Sequence, residues 1–380
     1  MTINLKLFAI ATITASTFAN AATNTVDARG AGMGGVGVVS GSYLTAPFYN
    51  PALTAIYRRN DDAGMIIPAL GLNYNDEYQM LDKIDNVVNL MNNGGSPEDV
   101  DSALNGLEGT DAKIDIGAAV AFGIPNRLLA ATIYGQAYTE NFAAPDIDTT
   151  GSNTAERVTR SGVKTMSVGI AEVGVSLAKY QTLFGQHFSF GISPKIQRVY
   201  TFTSVNTLNE FQLENIKESS LGETAFNLDA GALWFHGPMR VGFSAKNLMA
   251  REIQTASGTI NVGGRDIHYG DIYKMNPVYT VGAGFVADYF QFSVDYDLNK
   301  AEKFSSFDDD TQALRAGLEV DLVRQIQLRA GYIRNMARDT EDTVTAGIGL
   351  SPLNLFDIHV AASYTSKNAM GAYLNLAASY

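Results

Sequence analysis

Phe290-Gln291-Phe292-Ser293-Val294-Asp295-Tyr296-Asp297-Leu298 is the stretch whose reading decides the fold. Apolar side chains fall on every second residue, and polar or charged ones fill the positions between. A period of two belongs to an extended strand with one apolar and one polar face. The same beat recurs at Phe356, Ile358, Val360, Ala362 and Tyr364, alternating with Asp357, His359 and Ser363. It returns at Leu314, Ala316, Leu318 and Val320, and at Phe226, Leu228, Ala230, Ala232 and Trp234. A soluble sandwich alternates too, so the beat by itself does not decide between the two.

Working outward, three features decide it. The alternating segments run to about ten residues, the reach of a tilted bilayer-spanning strand. Tight connections at Pro125-Asn126, His236-Gly237-Pro238, 322–325 and 351–354 take turns with long polar segments at 143–163, 204–223 and 250–276. Short turns at one end and long loops at the other is the arrangement of outer-membrane barrels. Leu374, Leu376, Ala378 and Tyr380 share one parity at the C-terminus, which reads as a lipid-facing signal for the outer-membrane insertion machinery. Strands are expected to begin near Gly64, Asp115, Arg127, Lys164, His187, Ala225, Met239, Pro277, Tyr289, Thr311, Gln325, Thr343, Leu355 and Gly371. The expectation is an all-β, transmembrane antiparallel barrel of about fourteen strands in the outer membrane of a Gram-negative cell, with lipid around it.

At the other end, Lys6, an apolar run from Leu7 to Phe18 and Ala19-Asn20-Ala21 compose a secretory signal over 1–21, cleaved between Ala21 and Ala22. Residues 22–60 do not alternate and read as a plug, and 61–380 as the barrel. The 380 residues contain no cysteine, so disulfides, thiolate metal sites and dithiol redox chemistry are excluded. A formal charge of −12 with no basic stripe argues against nucleic acid. The four histidines, His187, His236, His268 and His359, lack metal-ligand spacing, and no nucleophile-elbow motif is present. No catalytic site, metal or cofactor is expected. Asp357, His359 and Ser363 share an inward face, which is ordinary in a barrel lumen. Asp308-Asp309-Asp310 reads as a solvated acidic tip. Pro194, inside an expected strand, marks either a kink beside a lateral exit or a bulge without function.

Two segments carry functional expectations. In 76–109, Tyr78, Leu81, Ile84, Val88 and Met91 recur at helical spacing, and Ser96-Pro97 opens a second helix. The stripe Leu81, Ile84, Val88 and Met91 is either packing surface or a landing site for a hydrophobic ligand. In 29–37, Arg29-Gly30-Ala31-Gly32-Met33-Gly34-Gly35 fits a dinucleotide glycine pattern, but no strand precedes it and no helical pattern follows. Tightly folded backbone in a confined space is the other reading.

That glycine run, followed by Phe48-Tyr49-Asn50-Pro51-Ala52-Leu53, resembles the N-terminal region of the FadL superfamily of outer-membrane proteins. The wording from Tyr43 to Leu53 is more similar to a branch of TraF-like conjugal transfer proteins. The two motifs cover about 25 residues, and the strand count extends the likeness along the chain. The resemblance implies a fourteen-stranded barrel with a luminal hatch, its motif residues being Arg29, Gly30, Gly32, Gly34, Gly35, Asn50, Pro51 and Ala52. It implies either a plugged channel for small hydrophobic molecules or a non-transporting barrel that supports a conjugation, secretion or surface-assembly apparatus.

Overall fold

The computed structural model describes residues 26–58, 62–208, 221–305, 307, 309–338, 340–352 and 356–379. The signal segment with Ala21 and Ala22, Asp308 and the terminal Tyr380 lie outside the described residues. The chain begins with two short helices, α1 (Ala28–Gly32) and α2 (Ala46–Tyr49), and a 3-10 turn, Pro51–Ala55. Strand β1 (Gly64–Asn75) leads into the helices α3 (Met80–Asn92) and α4 (Pro97–Asn105). Then come β2 (Ala112–Ile124), β3 (Ala130–Asp146), helix α5 (Thr154–Arg160), β4 (Gly162–Leu183), β5 (Gln186–Thr207), β6 (Leu221–His236) and β7 (Met239–Lys246). Four short strands follow: β8 (Arg251–Gln254), β9 (Gly258–Val262), β10 (Arg265–Tyr269) and β11 (Ile272–Met275). The chain closes with β12 (Val278–Val286), β13 (Phe290–Asp297), β14 (Ala313–Leu322), β15 (Ile326–Asn335), β16 (Thr343–Leu350), β17 (Asp357–Ser366) and β18 (Ala369–Ser379).

Fourteen strands close into one antiparallel barrel: β1 to β7 in order, then β12 to β18, with β18 returning to β1. Closure pairs every strand on both sides, so no edge is left to aggregate. The alternation does what the sequence implies. Phe290 and Phe292 are exposed on the outer face, while Gln291, Ser293, Asp295 and Asp297 are buried inside. Ile133, Val173, Ile192, Val241, Val344, Ile348 and Val360 extend the exposed outer band. Such a belt is unfavourable in water and fits hydrocarbon. Among the described residues no helix is long and apolar enough to cross a membrane.

The tight connections expected from the sequence lie at one rim, and one further two-residue turn, Lys367-Asn368, joins β17 to β18 at the other. Phe184 and Gly185 both have positive φ, 51° and 73°, as a two-residue hairpin turn with the right twist requires. Val323 and Arg324 also adopt positive φ without being glycine. Leu376 is exposed on the outer face, but Ala378 is buried opposite Met65, just ahead of a register shift in β1. That shift falls around Ile67-Pro68, against both neighbours of β1. Pro194, by contrast, introduces no bulge. The β4–β5 ladder is interrupted between Gly174↔Lys195 and Leu177↔Ile192, yet the register is the same on both sides.

At the other rim the loops are structured. Ser96 caps α4 by accepting from the Asp99 amide (3.2 Å), as Ser-Pro implies. Helix α3 starts differently: Gln79 sits at φ 56° and offers no cap. Asp76, three residues earlier, accepts from the amides of Met80 and Leu81 instead. The segment between β7 and β12, read as one polar loop, folds into two hairpins, β8/β11 and β9/β10.

Candidate functional site

Residues 26–56 sit inside the ring of strands and form the luminal plug; nearly all of them are buried. Asp27 opens α1 by accepting from the amides of Arg29 and Gly30, and Asn375 of β18 donates to the same carboxylate (2.8 Å). Gly34 and Gly35 take φ values of 72° and 74°, which reverse the chain after α1 at a cost only glycine avoids. Asn50 organises the second half. Its Oδ1 accepts from the Ala52 amide to start the 3-10 turn, and its Nδ2 donates to the carbonyls of Val38 (2.9 Å) and Ala232 (3.2 Å). One fully buried amide therefore ties two plug segments to β6.

The wall makes room for the plug with cross-strand glycine pairs. Gly191 opposes Gly231, and Gly317 opposes Gly331. A Cβ at Gly191 would fall 2.4 Å from the Pro51 carbonyl carbon, and one at Gly331 would fall 2.0 Å from the Gly34 nitrogen. Plug backbone lies where wall side chains would be.

Polar attachment is concentrated on β5–β7 and β13–β16. Arg29 donates twice to Glu319 of β14, from Nε and Nη2, both at 3.0 Å, and Arg329 of β15 binds the same carboxylate. The Asp295 carboxylate accepts from the amides of Gly37 (2.8 Å) and Val38 (3.0 Å). Ser189, Ser244 and Lys246 donate to the carbonyls of Ala52, Tyr49 and Phe48. Such charge-assisted, buried contacts are the strong kind. On the β1–β3 side the plug presents Val26, Tyr43, Leu44, Phe48 and Tyr49 to a wall of Ile66, Ala69, Ala119, Ala121 and Tyr134. Across this largely apolar seam the Thr132 hydroxyl donates to the Tyr43 carbonyl.

Above the plug, β3 and β4 carry facing inward pairs: Tyr134↔Gly174, then Gln136↔Glu172, Tyr138↔Ile170, Glu140↔Val168 and Phe142↔Met166. One fully polar rung, Gln136 and Glu172, separates the lower aromatic from the upper group, in which Glu140, bound by Lys303, sits between Tyr138 and Phe142. At the long-loop rim the strip opens into a cavity of about 490 Å³, lined by Tyr78, Phe142, Met166, Tyr269, Phe307 and Arg338 among others. Asp309 is not a solvated tip: it is buried, and its carboxylate accepts from the amides of Lys303 and Phe304.

The helical stripe goes mostly to packing. Ile84 is 3% exposed, with Met80 and Val87, in the cluster that α3 forms with Val100, Leu104 and Leu107. Leu81 and Val88 lie against that cluster, and Met91 alone of the four is exposed, at 38%. To the cavity at this end the 76–109 loop contributes Tyr78 and Gly109, and none of the four stripe residues. His359 faces Arg329 (Nδ1 to Nη1, 3.3 Å), and Asp357 accepts from Ser351, so the inward Asp357, His359 and Ser363 are not assembled as a hydrolytic triad. Among the described residues no cluster of metal-ligating side chains occurs. The wall glycine pairs and Asp295 meet the plug although no sequence motif flags them, since only register brings them there, whereas Glu319 is legible as one of the inward charges able to hold the plug.

Fourteen closed strands, an apolar outer belt and a bonded N-terminal plug define a plugged transmembrane β-barrel. The chain belongs to the family described as "F plasmid transfer operon, TraF, protein", whose model matches residues 47–297. In fold it is similar to the Ralstonia pickettii toluene transporter TbuX (TM-score 0.56, 11% identity, covering 92% of this chain and 96% of that one). It is similar also to a Pseudomonas aeruginosa FadL homologue (0.55, 13%, 96% and 99%) and to the deltaS2S3 mutant of the monoaromatic hydrocarbon channel TodX (0.54, 11%, 93% and 97%). No curated protein matches the sequence.

Proposed function

We propose that this barrel is an outer-membrane channel that admits small hydrophobic molecules, residues 22–60 acting as its hatch and 61–380 as its wall. The carrying observation is the strip of largely apolar side chains on β3 and β4, from Phe142 and Met166 through Tyr138 and Ile170 to Tyr134, interrupted by Glu140, which Lys303 neutralises, and by the Gln136/Glu172 rung; Tyr134 meets Phe48 edge-on at 5.8 Å. The strip joins the cavity at the loop rim to the apolar seam between plug and β1–β3. A hydrophobic molecule leaves water at the cavity, follows the strip past the Gln136/Glu172 rung, and passes between plug and wall. Only the apolar side of the plug then has to yield, and the ion pairs on the far side stay made. Binding in an apolar pocket with few polar groups suits ligands of this class. The relatives of similar fold that are described as hydrocarbon or toluene channels support the reading.

The family match favours a second reading, a barrel that serves a transfer or surface-assembly apparatus. Uptake of labelled hydrophobic compounds by cells with and without the protein separates the two. Protein-dependent uptake supports the channel. Its absence with a folded barrel, together with a co-purifying stoichiometric partner, supports the apparatus.

A further inference from the structure

Phe304 is completely buried, yet it belongs to a loop, and what buries it is an aromatic cage. Its ring meets Phe142 of the wall at 5.2 Å and 78°, Tyr273 of β11 at 5.3 Å and 63°, and Phe307 at 5.9 Å and 65°. All three contacts are edge-to-face, the favoured geometry for a phenyl ring among phenyl rings. Met166 and Met275 belong to the same cluster. The ring is held from outside the cage by a small clip. The Lys274 amide donates to the Lys303 carbonyl (2.6 Å), the Asp309 carboxylate accepts from the Lys303 and Phe304 amides, and Lys303 Nζ binds Glu140 of β3. Phe142, Met166 and Phe307 also line the 490 Å³ cavity, so the cage and the entry space share walls.

We infer that the cage is a binding site for a phenyl-bearing hydrophobic ligand, which the chain's own Phe304 occupies when no ligand is present. The inference deepens the channel reading and rests on it for the ligand's entry from the cavity. A ligand ring that takes the cage must expel Phe304, and its clip residues Lys303 and Asp309 move outward with it. The Glu140–Lys303 pair is the latch that sets how often the cage is vacant. Removing the occupant raises apparent affinity by the inverse of the vacant fraction.

The full chain in detergent provides the test, and its lack of cysteine makes site-specific labelling simple. Spin labels are placed on the exposed positions Ser305 and Lys367 through Ser305→Cys and Lys367→Cys. The probes are ethylbenzene and, as a non-aromatic control, n-heptane. The expected results are a longer label separation with ethylbenzene and not with heptane, and ethylbenzene binding about tenfold tighter in Phe304→Ala, as for a cage vacant one time in ten. Glu140→Gln, which frees the latch without emptying the cage, shifts affinity in the same direction by less, and heat-modifiable gel migration verifies folding of each variant. Labels that stay still at saturating ethylbenzene, or unchanged affinity in both variants, overturn the proposal. Cellular uptake distinguishes its failure from that of the channel reading: uptake with immobile labels leaves the channel and removes the cage, whereas label movement without uptake leaves the cage and removes the channel.

Discussion

Asn50 of the plug occupies the space that a side chain at Gly231 would take: a Cβ there would fall 1.9 Å from Asn50 Oδ1. The two residues belong to one device, a wall stripped to backbone so that a buried amide can reach it. Gly231→Ala is therefore expected to displace the Asn50 turn rather than the barrel. Overpacking of this kind costs about 1–3 kcal/mol. Limited proteolysis would show a plug cut faster than in wild type, with unchanged heat-modifiable migration. Asn50→Ala is expected to loosen the plug similarly, because it removes the turn cap and both carbonyl contacts together.

Arg29→Ala leaves Glu319 bound by Arg329 and Gln291 and takes away both hydrogen bonds between α1 and β14. Because Arg329 still neutralises Glu319, the cost stays below that of an orphaned buried charge, at about 1.5–3 kcal/mol for a lost hydrogen bond to a charged group. In planar bilayers the variant is expected to show frequent transient openings to small ions where the wild type is closed. Arg29→Lys, a point charge without the fork, should fall between the two. Identical closed traces from all three proteins would remove Arg29 from the plug's attachment.

In the loop between β3 and β4, Asp148 is held below the usual carboxylate range of 3.8. Burial, the largest influence, pushes it up, but the Thr150 hydrogen bonds and the charges of Arg160 (3.2 Å) and Arg265 (3.9 Å) together outweigh that. A lowered folded value means that the stabilisation is fully present above the unfolded value and is lost as pH falls through the folded one. Hydrogen exchange of α5 should accordingly be flat from pH 7 to about pH 5, and protection should drop only below about pH 4. Asp148→Asn should lower protection at pH 7 and flatten the profile.

Much of this architecture is legible in the sequence, because alternation is local. The expected strand starts at Gly64, Met239 and Thr343 coincide with β1, β7 and β16, and Ala225, four residues late for β6, marks the larger errors. What escapes is whatever register or loop folding creates. Gly191 and Gly231 are 40 positions apart, and nothing in either neighbourhood says that they meet. β8 and β11 are four residues each, too short to set a period among polar neighbours, so they read as loop. The helical stripe was visible but not its facing: α3 buries Met80, Ile84 and Val87, a face rotated from the one counted from Tyr78.

The central claim is that hydrophobic molecules pass on the β1–β3 side of the plug while the opposite side stays fixed. Two disulfide staples test it most directly, in a chain with no other cysteine. A Cβ at Gly117 would lie 2.9 Å from Val26 Cγ1, so Val26→Cys with Gly117→Cys staples the seam to β2. On the bonded side the Ser293 hydroxyl of β13 donates to the Ser40 hydroxyl at 3.1 Å, so Ser40→Cys with Ser293→Cys staples that side to β13. Uptake of a labelled hydrophobic compound is measured before and after reduction of each. The account predicts that the oxidised seam staple blocks uptake, that reductant restores it, and that the β13 staple has no effect. Uptake unchanged by the seam staple, or blocked by the β13 staple alone, would contradict it.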